Sequence, residues 1–301
     1  EISTATHQTE GAAVVLSAPK GVTNALSLLC EQAAAGEDFQ PLFDKLNDTV
    51  TGIANNLNEE LDGFAHASVV EFINSHLSVL KQHLEGIKLL GVAPDNVAAG
   101  ILSIGEYISV TLFSAMLSAK GIANRIIDPV KYVLAEGDYL DSIADVSLSK
   151  ARFSDVPCDG SEFLVMPGFV AANEAGEKVT LGRNGSDYSA AILAACIDAS
   201  CCEIWTDVDG VYNADPNQVE GAVLLDKLTY QEAMELSYFG AKVLHPKTIG
   251  PIAQHHIPCL IRNTLNPAAP GTLISNEKSE VWTSVKGIFQ LDNVTMFNVV
   301  G

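Results

Sequence analysis

Apolar residues recur along this chain with two different rhythms, one of adjacent positions and one of every third or fourth. AAVVLSAPKG (12–21) is a short apolar run with β-branched residues that ends in Pro and Gly, which predicts a buried strand followed by a turn. From Pro41 to about Leu90 the spacing becomes helical, with Val69, Val70, Ile73, Leu77, Leu80, Leu84 and Ile87 three or four apart, so an inserted helical layer follows the first strand. ILSIGEYISVTLFSAML (101–117) predicts a further helix and ANRIIDP (123–129) the next strand. Strands are then expected at EFLVMPGF (162–169), EKVTLG (177–182), CCEIWTDV (201–208) and PCLIRNT (258–264), with helices opening at Ser186, Tyr230 and Pro246. Alternating strands and helices imply an α/β fold whose largely parallel sheet is covered on both faces, with ligands at the carboxyl ends of strands. After GTLISNEKSE (271–280) two strand-like runs restart around a turn, which places a domain boundary near Asn276.

Charge changes the picture next. Lys plus Arg number 17 against 37 Asp plus Glu, a net charge of −20, so the overall field repels polyanions and argues against nucleic acid or an anionic membrane surface. No uninterrupted apolar run reaches the roughly 18 residues of a membrane span, and the chain reads as soluble and globular. The 6 cysteines show no CxxC pair, which suits reduced thiols in the cytoplasm. The vicinal Cys201 and Cys202 are expected to be buried at a strand entrance. With so few cations, a Lys or Arg inside a glycine-rich segment is informative.

Four segments could carry chemistry. In LGRNGSDYSAAILAAC (181–196) the glycines let backbone approach a ligand, Ser186 and Asp187 stand at a helix mouth that favours an anion, and Arg183 could grip a carboxylate with its planar fork. The same residues could be a turn with an ordinary cap. WTDVDGVYNADP (205–216) follows a strand; Asp207, Asp209 and Asp215 could hold a metal or ribose hydroxyls and Tyr212 could stack on a base, or the run could be a polar turn. In SYFGAKVLHPKT (237–248) Lys242 and Lys247 could meet phosphate or serve as helix-dipole partners. Glu106 sits on an apolar helix where an unpaired carboxylate is costly, so it wants a cation, either a substrate ammonium or one of the chain's own. No metal spacing of histidines is present, and the patterns GxxxxGK[ST], GxGxxG and HRD are absent.

Taken together, SAPKGVTNAL (17–26), GEYISV (105–110), PGFVAANEAGEKVTLGRNGSDYSAA (167–191), EIWTDVDGVYNADP (203–216), YQEAMELSYFGAKVLHPKTI (230–249) and NTLNPAAPGTLIS (263–275) closely resemble aspartokinases of the amino-acid kinase family. CCEIWTDVDGVY and YFGAKVLHPKTIGPIA look most like the bacterial bifunctional aspartokinase/homoserine dehydrogenase I group. The resemblance implies a three-layer αβα sandwich with a mainly parallel sheet over residues 1–276, then the start of an ACT-like α+β regulatory region over 277–301. It implies transfer of the γ-phosphoryl group of ATP, with Mg2+ held mainly by the nucleotide phosphates, to the side-chain carboxylate of L-aspartate. It also implies a homo-oligomer, dimer or tetramer, joined through the regulatory region, with threonine as feedback effector.

Carried over by position, Arg183 binds the substrate carboxylate and Glu106 its ammonium, while Ser17, Thr23, Phe169 and Ser186 line the same pocket. Asp187 resembles the organiser of the catalytic lysines; Thr206, Asp207, Tyr212 and Lys242 match nucleotide-side positions, with Lys242 near the phosphates. An ionised carboxylate needs no general base to attack phosphorus, so catalysis reduces to positioning and charge neutralisation. Asn217 departs from the family, whose members often carry arginine there. The chain starts at Glu1 and stops in a strand-like run, so both ends read as cut. The family's KFGGTS strand and loop, with its catalytic lysine, has no counterpart before AAVVLSAP, and the chain without it is expected to show no turnover. Two alternatives stand beside this reading: a sister kinase acting on glutamate or acetylglutamate, and a non-catalytic fragment with a folding or subunit-contact role.

Overall fold

The computed structural model describes residues 13–158, 160–216, 218–238, 244–277 and Gly287. Lys242, Asn217 and, apart from Glu277 and Gly287, the expected regulatory region lie outside the described residues. The chain divides into two compact units, Glu1–Ser189 and Ala190–Gly301.

The first unit opens with strand β1 (Ala13–Leu16), helices α1 (Val22–Ala34), α2 (Gln40–Glu60), α3 (His66–Leu90), α4 (Asp95–Leu102) and α5 (Ile104–Ala119), and strand β2 (Asn124–Ile126). It continues with α6 (Pro129–Tyr132), the hairpin β3 (Ala135–Asp138) and β4 (Asp141–Ala144), α7 (Val146–Phe153), β5 (Phe163–Pro167), and the hairpin β6 (Val170–Ala172) and β7 (Lys178–Thr180). Helix α8 (Gly185–Cys196) carries the boundary between the units. The strand order is β1-β5-β2, all parallel, with Leu16 opposite Pro167 and Ile126 opposite Val165.

The expected helical layer is present, and its stripe is what holds it. Val69, Ile73, Leu77, Leu80, Leu84 and Ile87 of α3 are buried in one cluster with Leu46, Val50 and Ala54 of α2 and Val22, Leu26, Leu29 and Ala33 of α1. Helix α5 joins this cluster through Ile104, Ile108 and Leu112 and also lies against the parallel sheet, where Val110 and Leu117 pack with Val165 of β5 and Val14 and Leu16 of β1.

The single helix expected over 101–117 is broken. Ser103, fully buried, ends α4 and precedes α5, and its hydroxyl donates to the Gly100 carbonyl at 2.8 Å. Such local hydroxyl-to-backbone bonds compete with the helical ladder. The stretch Asp95–Ala119 is apolar and long enough by length and composition to cross a membrane, but it holds these two helices, and 56% of its apolar 18-residue window is buried inside the protein.

The second unit contains β8 (Cys202–Thr206), β9 (Lys227–Thr229), α9 (Tyr230–Tyr238), α10 (Pro246–Gln254), β10 (Cys259–Asn263) and β11 (Thr272–Ser275). Its sheet runs β8-β10-β11-β9, with β8 and β10 parallel, β11 and β9 parallel, and β10 antiparallel to β11. The expectation for the vicinal cysteines is corrected here: Cys202 is buried, whereas Cys201 is exposed. Successive residues entering a strand face opposite sides, so only one of a vicinal pair enters the core.

Candidate functional site

The carboxyl ends of β1 and β5 lie side by side, and the chain leaves both in turns that meet. The Gly168 amide donates to the Leu16 carbonyl at 2.9 Å, so the SAPKG turn after β1 and the Gly168–Phe169 bend after β5 form one wall. Ser17 is exposed on that turn, and Thr23 is half-buried in the first turn of α1. Helix α5 reaches the same wall through Gly105. A Cβ there would lie 2.5 Å from Ala18 Cβ and 2.9 Å from Val22 Cγ1. Because Ala18 Cβ is fixed to backbone, Gly105→Ala is expected to cost about 1–3 kcal/mol through overpacking. Urea unfolding checks this: the midpoint should fall with the slope unchanged, and an unmoved midpoint contradicts the close approach.

That approach brings Glu106 to the turn. The Ala18 amide donates to Glu106 Oε1 at 3.3 Å, while Oε2 is buried without a hydrogen-bond partner. Glu106 is 3% exposed, and burial is the main cause that pushes its pKa up from 4.5 to about 7; its own amide and that of Ala18 act in the opposite direction. Its place in the first turn of α5 also favours the ionised form. Desolvation outweighs both. On the next residue of α5, the Lys178 ammonium stands 4.4 Å from the centroid of the Tyr107 ring, whose hydroxyl donates to Asp128 Oδ1 at 2.9 Å. Burial lowers the Lys178 pKa, with Asp128 opposing that shift.

The GRNG segment closes the same side. The Leu181 amide donates to the Phe169 carbonyl at 2.8 Å, and the Phe169 amide donates to Ser189 Oγ at 2.9 Å, so the β5–β6 bend is pinned to α8. Arg183 is exposed just ahead of the helix. The first four-residue helical bond of α8 runs from the Tyr188 amide to the Asn184 carbonyl at 3.0 Å, which leaves the Ser186 and Asp187 amides in the opening turn. Asp187 is half-buried; burial raises its pKa, and a hydrogen bond from Asn184 Nδ2 at 3.3 Å acts against that. The Tyr188 hydroxyl accepts from the Ala144 amide at 3.2 Å and ties α8 to β4. Ser17, Thr23, Glu106, Phe169, Arg183, Ser186 and Asp187 therefore belong to connected segments of one unit. Chemically, this arrangement offers a helix mouth and a guanidinium for an anion, and an unpaired carboxylate for a cation.

In the second unit Thr206 ends β8, with its hydroxyl 3.3 Å from Asp207 Oδ1, and Asp207 is exposed in the loop that follows. Asp209 is committed to the protein: its Oδ1 accepts from Asn263 Nδ2 at 2.7 Å and Asn266 Nδ2 at 3.2 Å, and it hydrogen-bonds the Tyr212 side chain. These bonds fasten the loop after β8 to the loop after β10. Asp215 is exposed and accepts from Gln218 Nε2 at 3.1 Å. Tyr212 is half-buried and bridges to Leu224. Lys247 is half-buried near the start of α10 and has its own partner. Sequence reading passed over Ser189 and the two asparagines. The asparagines stand in NTLN, where paired amides could have pointed to a carboxylate partner; nothing local distinguished Ser189 from a helix-surface serine.

The sequence pattern of the amino acid kinase family matches residues 1–263. The chain is 46% identical over 295 residues to a bifunctional aspartokinase/homoserine dehydrogenase of Buchnera aphidicola, covering 98% of this chain and 36% of that protein. It is 47% identical to the protein of the same description from Haemophilus influenzae, with the same coverage of 98% and 36%. The chain thus spans little more than a third of the length of these relatives. Its fold is similar to that of E. coli aspartokinase III in complex with aspartate and ADP in the R-state, with a TM-score of 0.80 at 30% identity, covering 89% of this chain and 59% of that one.

Proposed function

The chain belongs to the amino acid kinase family, and from that premise we propose that it is the aspartokinase part of a bifunctional aspartokinase/homoserine dehydrogenase, acting in the cytoplasm on L-aspartate and MgATP. The side-chain carboxylate of aspartate attacks the γ-phosphorus of ATP; one P–O bond forms as the bond to the β-bridging oxygen breaks, giving 4-phospho-L-aspartate and ADP. The observation that carries the substrate is the buried, unpaired Oε2 of Glu106. An α-ammonium supplies the charge that this oxygen lacks, and the other end of a small amino dicarboxylate suits Arg183 and the mouth of α8. Ser17, Thr23, Phe169 and Ser186 line that pocket.

Asp187 orients cationic groups beside the transferring phosphoryl group, and Lys242 meets the phosphates. Thr206, Asp207 and Tyr212 hold the nucleotide, with Asp209 fixing their loop. A Mg2+ ion would enter on the nucleotide phosphates and would supply charge neutralisation there. Oligomerisation through a following regulatory region and inhibition by threonine belong to the same reading.

A sister activity on acetylglutamate is disfavoured by the same carboxylate, because an N-acetylated substrate brings no ammonium to Glu106. ADP release by the full-length protein with MgATP and L-aspartate, L-glutamate, N-acetyl-L-glutamate or succinate tests the reading. Turnover with L-aspartate well above the other three is expected. A preference for N-acetyl-L-glutamate, or equal rates with succinate and aspartate, would overturn the assignment of Glu106.

A further inference from the structure

Phe169 holds a backbone conformation that an aromatic residue rarely takes, with φ at 67°. Side chains bearing a Cβ are disfavoured in that left-handed region, and such residues persist only where their surroundings over-determine them. Here three contacts do so. The Leu181 amide donates to the Phe169 carbonyl at 2.8 Å, and the Phe169 amide donates to Ser189 Oγ at 2.9 Å. The ring rests on Gly185, where a Cβ would lie 2.5 Å from Phe169 Cδ2 and 3.2 Å from its Cα.

Of these contacts, the Ser189 hydroxyl supplies the hydrogen bond between the bend and the helix. Ser189 is 1% exposed and Phe169 is half-buried, so removing the hydroxyl takes away the amide's partner within the protein. Ser186 and Ser189 are three apart on α8 and therefore share a face, Ser186 in the opening turn and Ser189 behind it. We infer that Ser189 is a positioning residue of the aspartate pocket: its hydroxyl locks Phe169 in the left-handed conformation and so sets the distance between the β5–β6 bend and the anion-binding mouth of α8. Gly185 is the complementary requirement, because only a residue without Cβ lets the ring lie against the helix start. This inference rests on the aspartokinase reading for its ligand but not for its geometry.

The experiment uses the full-length protein with Ser189→Ala and Ser189→Thr. Steady-state kinetics should show the aspartate KM of the Ala variant raised about tenfold, the change that loss of one buried hydrogen bond produces at its upper end. The ATP KM should stay within about twofold, and Ser189→Thr, which keeps the hydroxyl, should restore the aspartate KM to within about twofold. Amide exchange at Phe169 in the ligand-free protein should accelerate in the Ala variant and not in the Thr variant. An unchanged aspartate KM, or equal losses for both substrates alongside a lowered melting temperature, sinks the positioning role. If the unaltered protein does not phosphorylate aspartate, the aspartokinase reading fails by itself, and the exchange rates then decide the lock: equal protection at Phe169 in all three proteins overturns it.

Discussion

Arg183→Lys in the full-length protein is expected to raise the aspartate KM roughly ten- to a hundredfold while leaving the ATP KM and the melting temperature nearly unchanged. Arg183 is exposed at the mouth of α8, so its replacement removes nothing from the core. Lysine keeps the charge but presents a single ammonium where the guanidinium offers two parallel N–H groups to a carboxylate. A hydrogen bond to a charged group contributes about 1.5–3 kcal/mol, which converts to that range of affinity at about 1.4 kcal/mol per tenfold. The neighbouring Ser186 and Asp187 amides remain, so binding should weaken and not vanish. Steady-state kinetics with aspartate varied at saturating MgATP provide the measurement. Unchanged aspartate kinetics would remove Arg183 from the pocket, and a matching loss for ATP would make its role general.

Glu106→Gln is expected to separate binding from stability in opposite directions. In the ligand-free protein the Glu106 carboxyl has its pKa pushed up to about 7 from an ordinary 4.5. The folded protein therefore keeps a proton that the unfolded chain gives up between these values. Stability falls as pH rises through that window and levels off above about 7. Each tenfold change in proton affinity corresponds to about 1.4 kcal/mol, so keeping the buried carboxylate charged costs about 3 kcal/mol.

Glutamine carries no charge and still offers an oxygen to the Ala18 amide, so the variant should lose this pH dependence and unfold at a higher temperature than the parent near pH 8. Aspartate binding responds the other way. An ammonium needs the ionised carboxylate, so the parent's aspartate KM should fall as pH rises from about 6 to 8, whereas the variant's should be high and flat. Succinate, which has no ammonium, should bind both proteins alike. Melting curves at pH 5 and 8 together with the KM profile decide the matter: a flat parent profile, or equal losses for aspartate and succinate, would assign Glu106 a structural role.

Much of the architecture was legible because periodicity is a local property. The stripe from Val69 to Ile87 could bury only one helical face, and the structure buries it in α3. The apolar runs ending in SAPKG and PGF could satisfy their backbone only by pairing, and they pair in parallel as β1 and β5. Helix α1 was missed although Val22, Leu26, Leu29 and Ala33 recur at helical spacing, the short β3–β4 hairpin and α7 carry too little pattern to read, and α4 merged with α5 because Ser103 looks, in sequence, like any polar residue on a helix.

At the site, residue order already shows the chemical types: a lone guanidinium among glycines, a carboxylate in an apolar helix, an aspartate-rich loop after a strand. Their states depend on the folded chain. Glu106 and Ala18 are 88 positions apart, and the carboxyl is desolvated because Gly105 admits α5 to the β1 turn. Asp209 has the same side chain as Asp207, yet Asn263, 54 positions away, claims it for the loop while Asp207 stays exposed. The reason is physical: residue spacing fixes which side chains share a face, but solvation and close approach depend on which distant segment packs against that face, and no short stretch of sequence contains both partners.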